Sequence, residues 1–295
     1  MSEHEGSKPR VGILGLGIMG SGMAGRLLSA GFPLAVYNRS REKAAQLGRA
    51  GAFVATTPRE AAARAEIVIS MVTDDNASRA IWFGENGALS GMTRGAVLIE
   101  SSTLSVSYLH ELAAAAAERG CEFLDAPVTG TKPHAESGQL LFLVGGSAQA
   151  LATARPVLAV MSRDIVHLGP TGSGALLKLI NNFLCGVQAA SLAEASALID
   201  AGGLDPVKAF SVLTNGAPGS PLIKTISARA TAGDTSPNFL LRLMTKDLGY
   251  AMTEAKSHGL PLETAAAALR IFKNAVDIGR SEHDFSAVIG TVSRT

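Results

Sequence analysis

The sequence predicts an α/β chain whose N-terminal part is an open, doubly wound sheet of mostly parallel strands, followed by a long helix and an all-helical C-terminal domain. Three observations predict it. From Val11 onward, short apolar runs alternate with Ala-rich stretches of helical spacing, the signature of βαβ units. A helical pattern without Pro runs from Gly172 to Ala201, and everything beyond it reads as helices punctuated by Gly or Pro. With 295 residues and 47% hydrophobic content, two domains are the starting expectation.

The expected strands are Val11 to Leu14, Leu34 to Tyr37, Ile67 to Val72, Ala96 to Ile99, Phe123 to Leu124 and Leu140 to Val144. Helices are expected near Met19 to Ala30, Arg41 to Ala50, Arg59 to Ala65, Asn76 to Trp82 and Ser105 to Arg119. In the long helix the spacing of Leu176, Ile180, Phe183, Leu184 and Val187 marks the expected packed stripe. Four further helices follow: Pro206 to Leu213, Pro221 to Ala232, Leu240 to His258 and Leu262 to Ile278. These readings give a disordered tail over 1–10, a sheet domain over 11–168 and a helical domain over 169–295.

Lys and Arg number 26 against 25 Asp and Glu, with no basic block, so a nucleic-acid partner is not expected. Two cysteines, Cys121 and Cys185, are too few for a disulfide framework and fit a reducing compartment. The polar start has no signal-peptide pattern, and no later apolar stretch lacks repeated Gly and Ser interruptions. A cytoplasmic protein without a membrane partner is expected. The histidines show no paired ligand spacing, Asp74-Asp75 reads as a helix start, and no metal is expected.

Gly15, Gly17 and Gly20 form Gly-x-Gly-x-x-Gly directly after a strand and at the start of a helix. In that context the first Gly permits a tight turn, the second lets backbone approach a pyrophosphate, and the third lets helix and strand pack closely. About twenty residues on, where an acidic side chain would bind the ribose hydroxyl of NAD, stand Asn38, Arg39 and Ser40. These donate hydrogen bonds and do not repel a 2′-phosphate, so NADP is expected over NAD.

Three other clusters could carry chemistry. Lys178 and Asn182 lie four residues apart, on one helix face. Taken alone Lys178 reads as a solvated charge, but Gly172-Ser173-Gly174 just before it would let a ligand approach closely. Thr129, Gly130 and Thr131 follow a late strand and could form a carboxylate-binding turn; an ordinary polar loop is the alternative, and nearby His134 reads as a loop histidine. Lys246-Asp247 is an adjacent opposite-charge pair that spacing alone leaves compatible with the surface.

The motifs at 15–20, Ser102-Thr103, Asp125 to Gly130, Gly172 to Asn182 and Lys246-Asp247-Leu248, in this order, resemble the β-hydroxyacid dehydrogenase family within the 6-phosphogluconate dehydrogenase-like superfamily. Members include 3-hydroxyisobutyrate dehydrogenase, tartronate semialdehyde reductase and the glyoxylate/succinic semialdehyde reductases. The resemblance implies a Rossmann domain joined by the long helix to the helical domain, in a homodimer or homotetramer. It implies an NADP-dependent hydride transfer between a small hydroxy acid and its aldehyde acid, with Lys178 as general acid/base supported by Asn182. It also implies cofactor contacts from Gly15, Leu16, Gly17, Ile18, Met19, Gly20, Val72, Thr73, Thr103 and Lys246, and a substrate site at Thr129, Gly130, Thr131, Phe239 and Asp247.

Thr129 stands where the family usually has Ser, and Pro133-His134 is unusual. Lys132 after the turn is closer to the glyoxylate/succinic semialdehyde reductases. An imine reductase shares the scaffold but replaces the lysine with Asp or Tyr, and a non-catalytic NADP-binding module would not need it; Lys178 argues against both.

Overall fold

The computed structural model describes residues 8–292. Most of the tail expected over 1–10 lies outside the described residues. From Lys8 the chain is tied down: the Lys8 ammonium donates to the Ala30 carbonyl, and Arg10 N–H donates to Glu66 Oε2 at 2.9 Å.

The first elements are β1 (Val11–Leu14), α1 (Ile18–Ser29), β2 (Leu34–Tyr37), α2 (Ala45–Arg49), β3 (Phe53–Val54), α3 (Pro58–Ala62), β4 (Ile67–Ser70), α4 (Asp75–Trp82), β5 (Val97–Glu100) and α5 (Val106–Glu118). They are followed by β6 (Glu122–Asp125), β7 (Val128–Thr129), α6 (Lys132–Ser137), β8 (Leu140–Gly146), α7 (Ala148–Ala159) and β9 (Ser162–Gly169). The strands form one sheet in the order β3-β2-β1-β4-β5-β6-β8-β7, with β9 on the other side of β8. From β3 to β6 every pairing is parallel, the doubly wound arrangement expected, with its ligand edge at the strands' carboxyl ends.

Alternation within the strands decides which helices each face receives. Val11, Ile13, Val36, Ile67, Ile69, Val97 and Ile99 pack with Met23 and Leu27 of α1 and with Leu151 and Leu158 of α7. Leu14, Ala35, Val68, Leu98 and Phe123 pack on the other side with Trp82 of α4 and Tyr108, Leu109 and Leu112 of α5. Beyond Asp125 the strand breaks at Pro127, which has no N–H to donate. The chain nevertheless keeps following antiparallel β8, with Leu143 N–H donating to the Pro127 carbonyl at 2.9 Å and Val128 opposite Phe142. Helix α6 then packs against α1, where a Cβ on Gly22 would lie 2.9 Å from the Ala135 methyl.

The described chain falls into two compact units, one ending at Lys178 and the other beginning at Leu179. This division by compactness falls inside α8 (Ser173–Ala201). The second unit holds the rest of α8 with α9 (Pro206–Asn215), α10 (Pro221–Ala232), α11 (Leu241–Ser257) and α12 (Glu263–Asp277). Its core gathers Ala189, Leu192 and Ala193 with Met244, Leu248 and Phe272.

The packed stripe expected on α8 is corrected. The buried positions include Ala175, Leu179, Asn182, Gly186, Ala189 and Ala193, whereas Ile180 and Leu184 are exposed, Leu184 to 49%. Only Phe183 and Val187 of the expected set pack against the helical core. The cause is close approach: Leu248 of α11 lies on Gly186, where a Cβ would meet Leu248 Cδ2 at 2.9 Å, so the small residues face inward. At 29 residues α8 is also long and apolar enough to cross a membrane by length and composition alone, though Gly174, Gly186, Ser191 and Ser196 interrupt it.

Candidate active site

The glycine loop joins β1 to α1, and its three glycines are required for different reasons. Gly15 has φ 98°, and a Cβ there would lie 2.3 Å from the Met71 carbonyl oxygen. A Cβ on Gly20 would lie 2.0 Å from the Gly15 carbonyl oxygen, so loop and helix could not meet. Gly17 is exposed, and nothing lies within 4 Å of where its Cβ would be. Gly17 is also the N-cap of α1 and supplies no side-chain cap, whereas Thr57, Asp74, Ser105 and Ser147 cap α3, α4, α5 and α7. The first turn of α1, with exposed Ile18 and half-buried Met19, thus presents open space and a partial positive charge, which fits the pyrophosphate of a dinucleotide.

Asn38 braces this loop. Its Oδ1 accepts the Leu16 N–H at 2.8 Å and its Nδ2 donates to the Ser40 carbonyl at 2.9 Å, so much of its hydrogen-bonding capacity is spent within the chain. Arg39 and Ser40 are exposed beside it.

The loops after β4 and β5 are stitched together. Val72 N–H donates to Ser102 Oγ at 2.8 Å, so β4 ends at Ser70 and not at Val72 as expected. The Ser105 N–H and hydroxyl both donate to the Asp75 carboxylate, at 3.0 and 2.7 Å. Thr73 Oγ1 donates to Asp74 Oδ2 at 2.9 Å, and half-buried Thr103 follows Ser102. Beneath them Glu100, fully buried, accepts from Ser102 N–H (2.9 Å), Ser78 Oγ (2.6 Å) and Trp82 Nε1 (2.9 Å). Ser78 also receives the Tyr108 hydroxyl at 3.0 Å, and burial pushes that hydroxyl well above the usual tyrosine range. Sequence reasoning missed Glu100, because an isolated polar residue carries no periodic signal. Asp75 begins α4, as the helix-start reading has it, and Ser102 belongs to the Ser102-Thr103 motif, but their bonding partners carry no local signal.

The turn at 129–131 joins β7 to α6. Gly130 is exposed with φ 134°, a conformation that favours glycine. Thr131 caps α6, and its N–H donates to His134 Nδ1 at 3.2 Å while its Oγ1 lies 2.9 Å from the same nitrogen. His134 is therefore a helix-cap residue and not a loop histidine, and the Thr131 side chain is engaged by it.

Gly172-Ser173-Gly174 does not open space for a ligand. A Cβ on Gly174 would lie 2.2 Å from the Leu143 carbonyl oxygen, and Gly172, at φ 93°, lies against Val106 and His110. These glycines let the start of α8 pack on the sheet, and half-buried Lys178 follows in the next turn.

In the helical unit, Asn182 Nδ2 donates to Asp247 Oδ2 at 2.6 Å and Asn182 Oδ1 accepts from Asn181 Nδ2 at 2.9 Å. Lys246 Nζ lies 2.8 Å from Asp247 Oδ1 and 4.5 Å from the Tyr250 ring centroid. Lys246-Asp247 is thus no surface pair, Asp247 being buried to 1% exposure. Phe239 packs edge-on against Phe285, with centroids 5.8 Å apart.

A glycine loop opening onto an uncapped helix, at the carboxyl edge of a parallel sheet ordered 3-2-1-4-5-6, defines a dinucleotide-binding protein of the Rossmann type. Residues 10–169 match the family described as the NAD binding domain of 6-phosphogluconate dehydrogenase, and residues 172–292 match that described as the NAD-binding domain of NADP-dependent 3-hydroxyisobutyrate dehydrogenase. The chain belongs to the β-hydroxyacid dehydrogenase family. It is 35% identical to glyoxylate/succinic semialdehyde reductase 2 of Arabidopsis thaliana over 95% of this chain and 78% of that protein. It is 34% identical to 3-sulfolactaldehyde reductase of Escherichia coli over 96% of this chain and 95% of that protein. The structure is similar to 3-hydroxyisobutyrate dehydrogenase of Mycobacterium tuberculosis with a TM-score of 0.86 and 32% identity, covering 96% of this chain and 99% of that one. The chain is accordingly an oxidoreductase, an NAD(P)-dependent dehydrogenase of the hydroxy-acid or semialdehyde type.

Proposed function

We propose that the chain works as an NADPH-dependent reductase of small aldehyde acids, of the semialdehyde or glyoxylate type, and forms the corresponding hydroxy acid. The observation that carries the reading is the gathering, in one unit, of the open glycine loop, the Thr129–Thr131 turn and Lys178 in the second turn of α8. Gly15 to Gly20 would hold the dinucleotide pyrophosphate, flanked by Val72, Thr73 and Thr103. When bound, the cofactor supplies the hydride.

Thr129 and Gly130 would hold the substrate carboxylate, and Thr131 would fix the shape of the turn through His134. The Lys178 ammonium would face the carbonyl oxygen, stabilise the negative charge that develops there and donate a proton to it. In oxidation the neutral amine would take that proton back. Within the helical unit, Lys246 is held by buried Asp247, which in turn accepts from Asn182.

Preference for NADPH rests on the end of β2. Arg39 makes no hydrogen bond or ion pair with another described residue and is exposed beside Ser40, and no carboxylate side chain lies between the end of β2 and Glu42. A charge-assisted bond from Arg39 to a 2′-phosphate is worth about 1.5–3 kcal/mol. We further propose a cytoplasmic homodimer or homotetramer; Leu184, Leu198, Leu204, Val207 and Val212 of the helical unit are exposed apolar side chains that a second copy would cover.

The test is an NADPH-oxidation screen with glyoxylate, succinic semialdehyde, tartronate semialdehyde, methylmalonate semialdehyde and a cyclic imine. Turnover of an aldehyde acid, cut by Lys178→Ala to a small residual rate with NADPH binding intact, is expected; turnover of the imine alone would refute it. Arg39→Ala should erase most of the preference for NADPH over NADH.

A further inference from the structure

Asp125 ends β6 and is fully buried, and no step above uses it. Its Oδ1 accepts the Gly172 N–H at 2.7 Å and its Oδ2 accepts the Ala175 N–H at 2.9 Å, both at the start of α8. The surroundings are shaped to the carboxylate. A Cβ on Gly145 would lie 2.4 Å from Oδ1, and one on Gly174 would lie 2.9 Å from Oδ2. Burial pushes the Asp125 carboxyl above the ordinary carboxylate range, and the N–H groups of Gly172, Ala175 and Gly174 pull in the other direction.

Two chain segments diverge from this carboxylate. The strand runs on through Ala126 and Pro127 to the turn at Thr129–Thr131, held along β8 by Leu143 N–H. The helix runs on from Ala175 to Lys178, three residues later and so on the same side of α8, about 4.5 Å along the axis. A negative charge at a helix N-terminus also complements the helix dipole. One side chain therefore pins together the strand that leads to the turn and the helix that bears the lysine.

We propose that Asp125 is a positioning residue whose buried carboxylate sets the separation between the carboxylate-holding turn and the Lys178 amine, without touching substrate or cofactor. The proposal rests on the reading of Lys178 as the acid/base. A displacement of about 1 Å in such geometry costs on the order of a hundredfold in rate, so loss of one anchor should appear in kcat and leave cofactor affinity unchanged.

The experiment compares wild type, Asp125→Asn, Lys178→Ala and the double variant, measuring kcat, KM and the NADPH dissociation constant by energy transfer from Trp82. Asn keeps the size of the side chain but sets an amide N–H₂ against one of the two backbone donors. Asp125→Asn should lower kcat by about tenfold to a hundredfold with the NADPH constant unchanged, and should add nothing in the Lys178→Ala background. Asp125→Ser removes the carboxylate without adding atoms to the cradle and should give the same kcat-selective loss; it decides the matter if Asp125→Asn fails to accumulate. Wild-type kcat in either Asp125 variant, with Lys178→Ala reduced to its residual rate, would overturn the proposal alone, as would an equal loss from that residual rate and from wild type. Wild-type turnover by Lys178→Ala would instead remove the underlying reading of the lysine.

Discussion

Glu100→Gln replaces a fully buried carboxylate by an amide of the same shape, and its cost can be worked from the partners. If the amide oxygen takes the place of Oε2, Ser78 and Trp82 keep their acceptor, but the new N–H₂ faces Ser102 N–H, whose bond of 2.9 Å is lost. A buried donor left unpaired costs about 1–3 kcal/mol. If the amide is reversed, Ser102 is satisfied, Ser78 can turn its hydroxyl, and Trp82 retains Ser70 Oγ at 3.1 Å. The second arrangement is cheaper, and release of a buried charge offsets part of its cost, so a net loss of about 1–2 kcal/mol is expected. Glu100→Ala removes both carboxylate oxygens, leaving Trp82 only Ser70 Oγ, and opens a hole, for a loss of about 3–5 kcal/mol. The assay is urea unfolding followed at Trp82, the only tryptophan in the sequence and completely buried against this carboxylate. Because Glu100 holds Ser102, which in turn holds Val72, the NADPH dissociation constant should also rise, tenfold for each ~1.4 kcal/mol transmitted to the loops. Equal stability of wild type and both variants, or strict additivity of Glu100→Gln with Trp82→Phe when unfolding is followed by circular dichroism, would refute the reasoning.

The glycine loop gives a contrast between two conservative changes: Gly20→Ala places a methyl 2.0 Å from the Gly15 carbonyl oxygen and should lose cofactor binding together with thermal stability, whereas Gly17→Ala meets no described atom and should lose cofactor binding alone. Calorimetry with and without NADPH separates the two outcomes. The Arg79–Glu111 pair gives a pH prediction. Its bond of 2.6 Å and the Arg79 charge hold the Glu111 carboxyl below its ordinary value of 4.5. A depressed native pKa makes the unfolded chain bind protons first, so the contribution is complete above the unfolded value and is lost as pH falls through the native one. The urea midpoint of wild type relative to Glu111→Gln should therefore be constant near neutrality, shrink below about pH 4.5 and diminish with added salt.

Periodicity made much of the fold legible. Val11–Leu14 and Leu34–Tyr37 occur as strands where the alternation of apolar runs and helical stretches places them. The missed elements are those with weak periodic signals. β3 and β7 are two residues each, β9 mixes Arg163 and Asp164 into an edge strand, and α7 contains Pro156. On α8 the periodicity is real but ambiguous: one row of small residues and one of large apolar residues share the helix, and the sequence does not say which faces its own chain. The glycine loop is legible because its chemistry is local. Gly172 and Gly174 mislead because a missing Cβ admits a carbonyl or a carboxylate as readily as a ligand. The roles of Glu100 and Asp125 depend on partners far along the chain, Ser78 and Trp82 for one and Gly172 and Ala175 for the other, and no local pattern announces them.

The brace at Asn38 has an evolutionary consequence. What the Leu16 N–H needs from position 38 is an oxygen acceptor, and a carboxylate offers one as well as a carboxamide does. Asn and Asp codons differ by one base. A lineage could therefore exchange tolerance of a 2′-phosphate for recognition of a bare ribose in one mutational step, giving up only the bond to the Ser40 carbonyl and leaving the architecture of the phosphate loop intact.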